Sequence, residues 1–245
     1  MKHKRTLILL GVLVIISCIF VYDRFVAPKS EPSLHDPLVN DFIKLYHSSG
    51  IHNRTQWLGI PTLENPCDMW SIQEIISEIK PDFIVETGTY KGGGALFYAS
   101  ILQMVNPRGK VITVDIKPQM EQAAKLDLFK DRVEFIEGSS TSDDVIHRIA
   151  ETVKGSKVMV TLDSDHHMKH VLNELELYSG FVSPGSYLIL QDTGHNGHPI
   201  QTTYGKGPME AMEEFLKTNS NFVSDRSREK FLLTFSPKGY LKRIK

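Results

Sequence analysis

The sequence predicts a doubly wound α/β fold with a mostly parallel sheet, a C-terminal antiparallel hairpin and an N-terminal apolar helix. Three observations predict it. Five short apolar runs, at 82–87, 110–116, 132–139, 157–165 and 186–192, alternate with helix-like stretches. After them come "FLLTF", "SPKG" and "YLKRI", two strand-like runs about a Pro-Gly turn. At the other end, Thr6 to Tyr22 is one long, largely apolar run.

That N-terminal run follows the basic "MKHKR" and stops at Asp23 and Arg24. It is long for the core of a signal peptide and near the short limit for a membrane-spanning helix. A single-pass membrane anchor over residues 1–24 is the expectation. A cleaved signal peptide, or lipidation at Cys18 within "IISC", are the alternatives; the apolar residues beyond Cys18 favour the anchor. The preceding basic residues point to a cytoplasmic N-terminus, with the domain on the opposite side. Residues 25–54, with Pro28, Pro32 and Pro37, read as a linker and lead-in segment, and 55–245 as the catalytic domain.

Within that domain, "DMWSIQEIISEIKP" is a helix. Asp68 is its expected cap, Ile72, Ile75, Ile76 and Ile79 share one face, and Pro81 stops it. "GGALFYASILQMV" and "HMKHVLNELELYSGF" are further helices between strands. The 245 residues are 41% hydrophobic and 23% charged, enough for an ordinary core. A net charge of -1 gives no support for nucleic acid as a partner. Two cysteines, Cys18 and Cys67, exclude a disulfide framework.

The chemistry starts at "FIVETGTYKGGGALFYAS", a strand, an acid, a glycine run and a helix. The glycines are Gly88, Gly92, Gly93 and Gly94, so the G-x-G-x-x-G of a dinucleotide loop is missing. No G-K-[ST] follows, which removes a phosphate-cradling loop. An adenosine ligand without phosphates fits better, and S-adenosylmethionine is such a ligand. Glu86 can lie near its cationic end, while Gly88 and Gly92 permit close backbone approach. Asp115 closes the next strand, where a carboxylate can accept from both ribose hydroxyls. Ser139, in "EGSS" after the third strand, is a candidate for the adenine region.

The fourth and fifth strands end in "TLDSDHHMKH" and "LQDTGHNGHP". Parallel strands deliver both ends to the edge that carries the glycine loop. Asp163, Asp165 and Asp192 can therefore converge, and such oxygen ligands suit Mg²⁺. A bound ion would orient and acidify an acceptor hydroxyl. His166 and His170 are placed on one helical face, and one of them is a candidate general base. Zinc is a weaker reading, because no cysteine joins the acids. His195 and His198 either line the acceptor pocket or decorate a turn.

Six blocks extend the pattern: "WLGIPTLENPCDMWSIQEII", "IVETGTYKGGGALFYASIL", "FIEGSSTS", "VMVTLDSDHHMKHVLNEL", "PGSYLILQDTGHNGHP" and "DRSREKFLLTF". In this order, over roughly residues 55 to 245, they resemble the cephalosporin hydroxylase / rhamnosyl O-methyltransferase family. The resemblance implies a Rossmann-like S-adenosylmethionine fold with a Mg²⁺ site. It places the metal ligands at Asp163, Gln191 and Asp192. Gln191 departs from the family, which usually has Glu there, so a ligand charge is lost. A looser similarity, to catechol-type O-methyltransferases, places a base three residues after the metal-binding Asp. That position is His166 here, and His can act as a base near neutral pH.

The expected function is therefore S-adenosylmethionine-dependent O-methylation of a hydroxyl on a sugar, a glycolipid or a related small molecule. Expected partners are that acceptor and a membrane, with homo-oligomerisation an open question. A cephalosporin-hydroxylase-like enzyme of natural-product synthesis is the alternative within the family; a membrane-tethered, non-catalytic module is the alternative outside enzymology. The His and Asp residues also leave a facial-triad iron site open.

Overall fold

The structure is a computed structural model and describes residues 36–245. They fall in one compact unit. Helix α1 (Pro37–Ser48) leads in, capped by Asp36, whose Oδ1 accepts from the Leu38 N–H at 2.8 Å. A short antiparallel ribbon follows, β1 (Gln56–Trp57) against β2 (Ile60–Pro61).

Helix α2 (Pro66–Ile79) buries the expected stripe of Ile72, Ile75, Ile76 and Ile79. Its cap is Asn65 rather than Asp68: Asn65 Oδ1 accepts from the Cys67 N–H at 3.0 Å. Asp68 sits inside the first turn, buried, and accepts from the Phe235 N–H at 2.8 Å and the Tyr240 hydroxyl at 2.7 Å. Burial pushes its carboxyl up to about 6, although these bonds favour the charged form.

The main sheet contains β3 (Phe83–Thr87), β4 (Lys110–Asp115), β5 (Val133–Glu137), β6 (Val158–Leu162), β7 (Tyr187–Leu190), β8 (Phe222–Ser224) and β9 (Tyr240–Arg243). Their order is β5-β4-β3-β6-β7-β9-β8. The first five are mutually parallel, and β9 runs against both of its neighbours. Helices α3 (Gly93–Val105), α4 (Asp127–Arg132), α5 (Asp143–Val153), α6 (Met168–Tyr178) and α7 (Pro208–Thr218) cover the two faces.

Strand alternation divides the core. Ile84, Met159 and Ile189 pack with residues of α2, α3 and α4. Their neighbours Val85, Val160 and Leu188 point the other way, into α5, α6 and α7. Both strand faces are therefore apolar, which is why these strands read as continuous apolar runs rather than alternating ones. Each fully buried Ile, Leu or Val contributes roughly 1.5–3 kcal/mol. The sheet is thus a rigid frame, and the chain reverses its winding direction between β3 and β6, where such sheets open a crevice.

The C-terminal antiparallel pair differs from the expected one. β9 coincides with "YLKRI", but its hairpin-side partner is β8, and "FLLTF" is not a strand. Leu232 adopts φ +63°, and the Phe235 N–H goes to the Asp68 side chain instead of a neighbouring strand. The four apolar residues and Thr234 mimic a strand pattern, yet their segment is folded inward by long-range bonds.

The expected membrane anchor is also corrected. Among the described residues, no helix is long and apolar enough to cross a membrane. The run Thr6–Tyr22, on which the anchor, the N-terminal apolar helix and the membrane partnership rested, lies outside the described residues. The single-pass membrane localisation is therefore withdrawn.

Candidate active site

A pocket of about 610 Å³ opens at the C-terminal ends of β3, β4, β5, β6 and β7. Its carboxylates are Glu64, Glu86, Asp115, Asp163, Asp165 and Asp192, and among the described residues no Lys or Arg lines it. So many carboxylates, with His166 the cationic group set against them, suit a cationic ligand.

The β3 end sets one wall. Glu86 is 4% exposed and accepts from the Thr113 hydroxyl on β4. Burial pushes its carboxyl up to about 8; the Thr113 bond opposes this, while Asp163 and Asp115 add to it. The glycine run follows from this crowding. A Cβ at Gly94 would lie 2.5 Å from Glu86 Oε1, and one at Gly93 would lie 2.2 Å from the Pro61 carbonyl oxygen. Gly88, at φ +87°, lets β3 approach β6 so closely that a Cβ would fall 2.0 Å from the Asp163 carbonyl oxygen.

Gly92 differs from its expected place. It caps α3 at φ +82° and faces Met120, Ala123 and Phe129, behind the pocket wall rather than on it. Gly93 and Gly94 line the pocket instead. Asp115 and Ser139 reach it from the ends of β4 and β5. Asp115 Oδ2 accepts from the Tyr90 N–H at 2.9 Å, which ties the glycine loop to the neighbouring strand.

The opposite wall is acidic and imidazole-rich. His166 bridges two carboxylates: Nε2 lies 3.2 Å from Asp163 Oδ1 and Nδ1 lies 3.5 Å from Asp192 Oδ2. Burial alone would lower its pKa, but the Asp163 bond and the nearby acids push it up to about 9. Asp192 is held above the ordinary carboxylate range by burial, with His166 pulling it back and Asp163 raising it further. His166 precedes α6, so it does not share a helical face with His170. His170 Nε2 instead sits 3.1 Å from Ser140 Oγ and 3.2 Å from Ser164 Oγ.

His195 lines the pocket at 6% exposure, with Nε2 3.8 Å from Asp192 Oδ2 and Nδ1 without a partner among the described residues. Donor atoms of His166, Asp192 and His195 lie within 4.8 Å of one another. His198 turns away and pairs with Glu210 at 3.0 Å. Gln191 is 4% exposed and fully engaged. Its Oε1 accepts from the Ser236 hydroxyl at 2.9 Å, and its Nε2 donates to Glu64 Oε1 at 3.1 Å.

The sequence profile of the rhamnosyl O-methyltransferase/CmcI family matches residues 49–244. The chain belongs to this family. A rhamnosyl O-methyltransferase of Mycobacterium leprae is 36% identical over 212 residues, covering 84% of this chain and 90% of that protein. One from Mycobacterium tuberculosis is also 36% identical over 212 residues, covering 84% and 85%. Among solved structures, CmcI with Mg and SAM matches at TM-score 0.59 and 19% identity, over 79% of this chain and 78% of that chain. An O-methyltransferase from Bacillus cereus in complex with SAH matches at 0.52 and 16%, over 83% and 86%. These two likenesses speak for the fold.

As a member of the rhamnosyl O-methyltransferase/CmcI family, the chain is an S-adenosylmethionine-dependent O-methyltransferase. The expected membrane and homo-oligomer partnerships find no support in these relatives or in the described residues. Several residues of the pocket carry no local sequence signal. Glu64 enters from the β2–α2 loop, His47 from α1, His52 just after it, and Phe235 from the C-terminal segment. Their rings interlock, with His47 and His52 stacked at 4.9 Å and Phe235 edge-on to both. Nothing local marks them: each is an isolated residue in a loop or on a helix, brought to the pocket by tertiary packing.

Proposed function

We propose that the enzyme methylates a hydroxyl of a sugar, assisted by a divalent cation. The observation that carries this reading is the pocket's six carboxylates, with no Lys or Arg beside them among the described residues. Such a donor set fits both a sulfonium ligand and a hard divalent ion. The rhamnosyl O-methyltransferases at 36% identity supply the acceptor class.

S-adenosylmethionine, when bound, supplies an electrophilic methyl carbon, and the cation acidifies the acceptor hydroxyl. In this reading Asp115 accepts from the ribose hydroxyls, Ser139 lies by the adenine and Glu86 faces the cationic end. Gly88 and its glycine neighbours keep that wall close to the ligand, with Gly92 fixing the start of α3. Asp163 and Asp192 would hold the cation, and His166, hydrogen-bonded to Asp163 and 3.5 Å from Asp192, would take the acceptor's proton in its neutral form, after losing its own proton to solvent. The ring wall of His47, His52 and Phe235 bounds the acceptor side. An apolar, hydrogen-bonding wall of this kind suits a neutral sugar ring better than a charged one.

Transfer of isotopic label from S-adenosylmethionine to a panel of rhamnose-terminated and other glycosides tests this. Label on a sugar hydroxyl is expected, with His166→Ala slower by roughly 100-fold. An undiminished rate in that variant would remove the base role. Label restricted to catechols or other phenols would remove the sugar assignment.

A further inference from the structure

The resemblance puts an acid at position 191, and this chain has an amide there. The amide is not presented to the pocket as a substitute ligand. Gln191 Oε1 accepts from Ser236, and its Nε2 donates to Glu64. The donor end of Gln191 thus faces Glu64, and its oxygen faces Ser236. Glu64 then stands in the pocket with Asp163 and Asp192, and its Oε2 has no hydrogen-bond partner among the described residues.

The backbone aims it there. Leu63 adopts φ +60°, a costly conformation for a branched side chain, and turns the chain immediately before Glu64. Either side of that turn is pinned. The Glu64 carbonyl oxygen accepts from the Thr55 hydroxyl at 3.1 Å, and Asn65 both caps α2 and donates to the Leu233 carbonyl at 3.2 Å. A separate observation in the same pocket points to a ligand: His195 is 6% exposed, leaves Nδ1 unpartnered among the described residues, and has a ligand atom within 4.8 Å of one on His166 and one on Asp192.

We infer that Glu64 supplies the acidic metal ligand that position 191 lacks, with Gln191 as its positioning residue. The inference rests on the metal-assisted reading above. It explains how the chain keeps three carboxylate donors, Glu64, Asp163 and Asp192, despite Gln191. A Glu at 191 beside Glu64 would instead set two carboxylates against each other, whereas Gln at 64 with Glu at 191 recreates the bond in reverse.

The test is Mn²⁺ titration of the full chain, followed by the loss of the free-ion electron paramagnetic resonance signal. S-adenosylhomocysteine affinity and the thermal midpoint report on folding. Glu64→Gln is expected to weaken Mn²⁺ binding about 10-fold or more, with S-adenosylhomocysteine affinity unchanged. The double variant Glu64→Gln/Gln191→Glu is expected to recover wild-type Mn²⁺ affinity to within about 3-fold. Wild-type Mn²⁺ affinity in Glu64→Gln, alongside a loss in Asp192→Asn, overturns the Glu64 role and leaves the metal reading standing. Absence of Mn²⁺ binding in the wild type, with S-adenosylhomocysteine still bound, overturns both.

Discussion

The β3–β5 side of the pocket and the β6–β7 side are assembled by different means. On the first, each side chain is placed by its own strand end and the few residues after it. Glu86, Gly88, Asp115 and Ser139 lie at successive strand ends, joined by local bonds such as Tyr90 N–H to Asp115. On the second, Asp163 and Asp192 come from strand ends, but their surroundings arrive from distant segments. Glu64 meets Gln191, and Ser236 meets Gln191 from the other side. The first side is local code repeated on parallel strands. The second is a long-range assembly.

The contrast can be broken or sharpened, and the largest effect comes where the two sides touch. Gly88→Ala adds a Cβ 2.0 Å from the Asp163 carbonyl oxygen at φ +87°. It should cost roughly 4 kcal/mol or more, the range of severe steric and strain failures. Gly185→Ala is the control, with φ +80° but nothing within 4 Å; it should cost about 1–2 kcal/mol. Urea unfolding of both variants measures the difference. Equal losses would mean that the two strand ends are not locked together.

Next comes a change confined to the local side. Asp115→Asn should weaken S-adenosylhomocysteine binding roughly 10- to 100-fold, as expected for loss of charged hydrogen bonds. The acceptor KM at saturating cofactor should barely move. Calorimetry and steady-state kinetics together check this, and a KM change as large as the affinity change would merge the two sides.

Acid should loosen the long-range side. Glu210 accepts from Asn196, His198 and the Gly207 N–H, tying the loop after β7 to the start of α7. Burial would raise its pKa, but these bonds outweigh it and hold the carboxyl at about 2. Its folded value lies below the unfolded one. Its stabilisation is therefore present above about pH 4.5 and is lost as pH falls towards 2. After discounting for solvent, roughly 1–2 kcal/mol is involved. Thermal midpoints of the wild type should fall more steeply across that window than those of Glu210→Gln; parallel curves would show that the loop is held otherwise.

The smallest effect is expected at the pocket's aromatic wall. His47→Ala removes a ring stacked on His52 and edge-on to Phe235. About 1 kcal/mol of ring contact is lost, so the acceptor KM should rise about 3- to 5-fold with cofactor affinity unchanged. A change in cofactor affinity instead would reassign α1 to the other side.

The amino-acid sequence by itself determined the winding of the sheet, because apolar runs and helical stripes report burial directly. It also placed Asp115 and Asp163 at strand ends, because parallel strands deliver their C-terminal ends to one edge. The limits appear at particular residues. Asp68 has the sequence signature of a cap, but the buried Tyr240 hydroxyl and Phe235 N–H draw it inward, and Asn65 caps in its place. "FLLTF" has the composition of a strand, but its Phe235 N–H finds a carboxylate partner rather than a sheet edge. Tertiary structure alone decided that Gly92 lies behind the pocket and that Gln191 faces Glu64. Residues 64 and 191 are separated by most of the domain, and a hydrogen bond between them leaves no mark on either local pattern. Periodicity encodes what each element buries; which polar groups meet at its ends is set by how the elements pack.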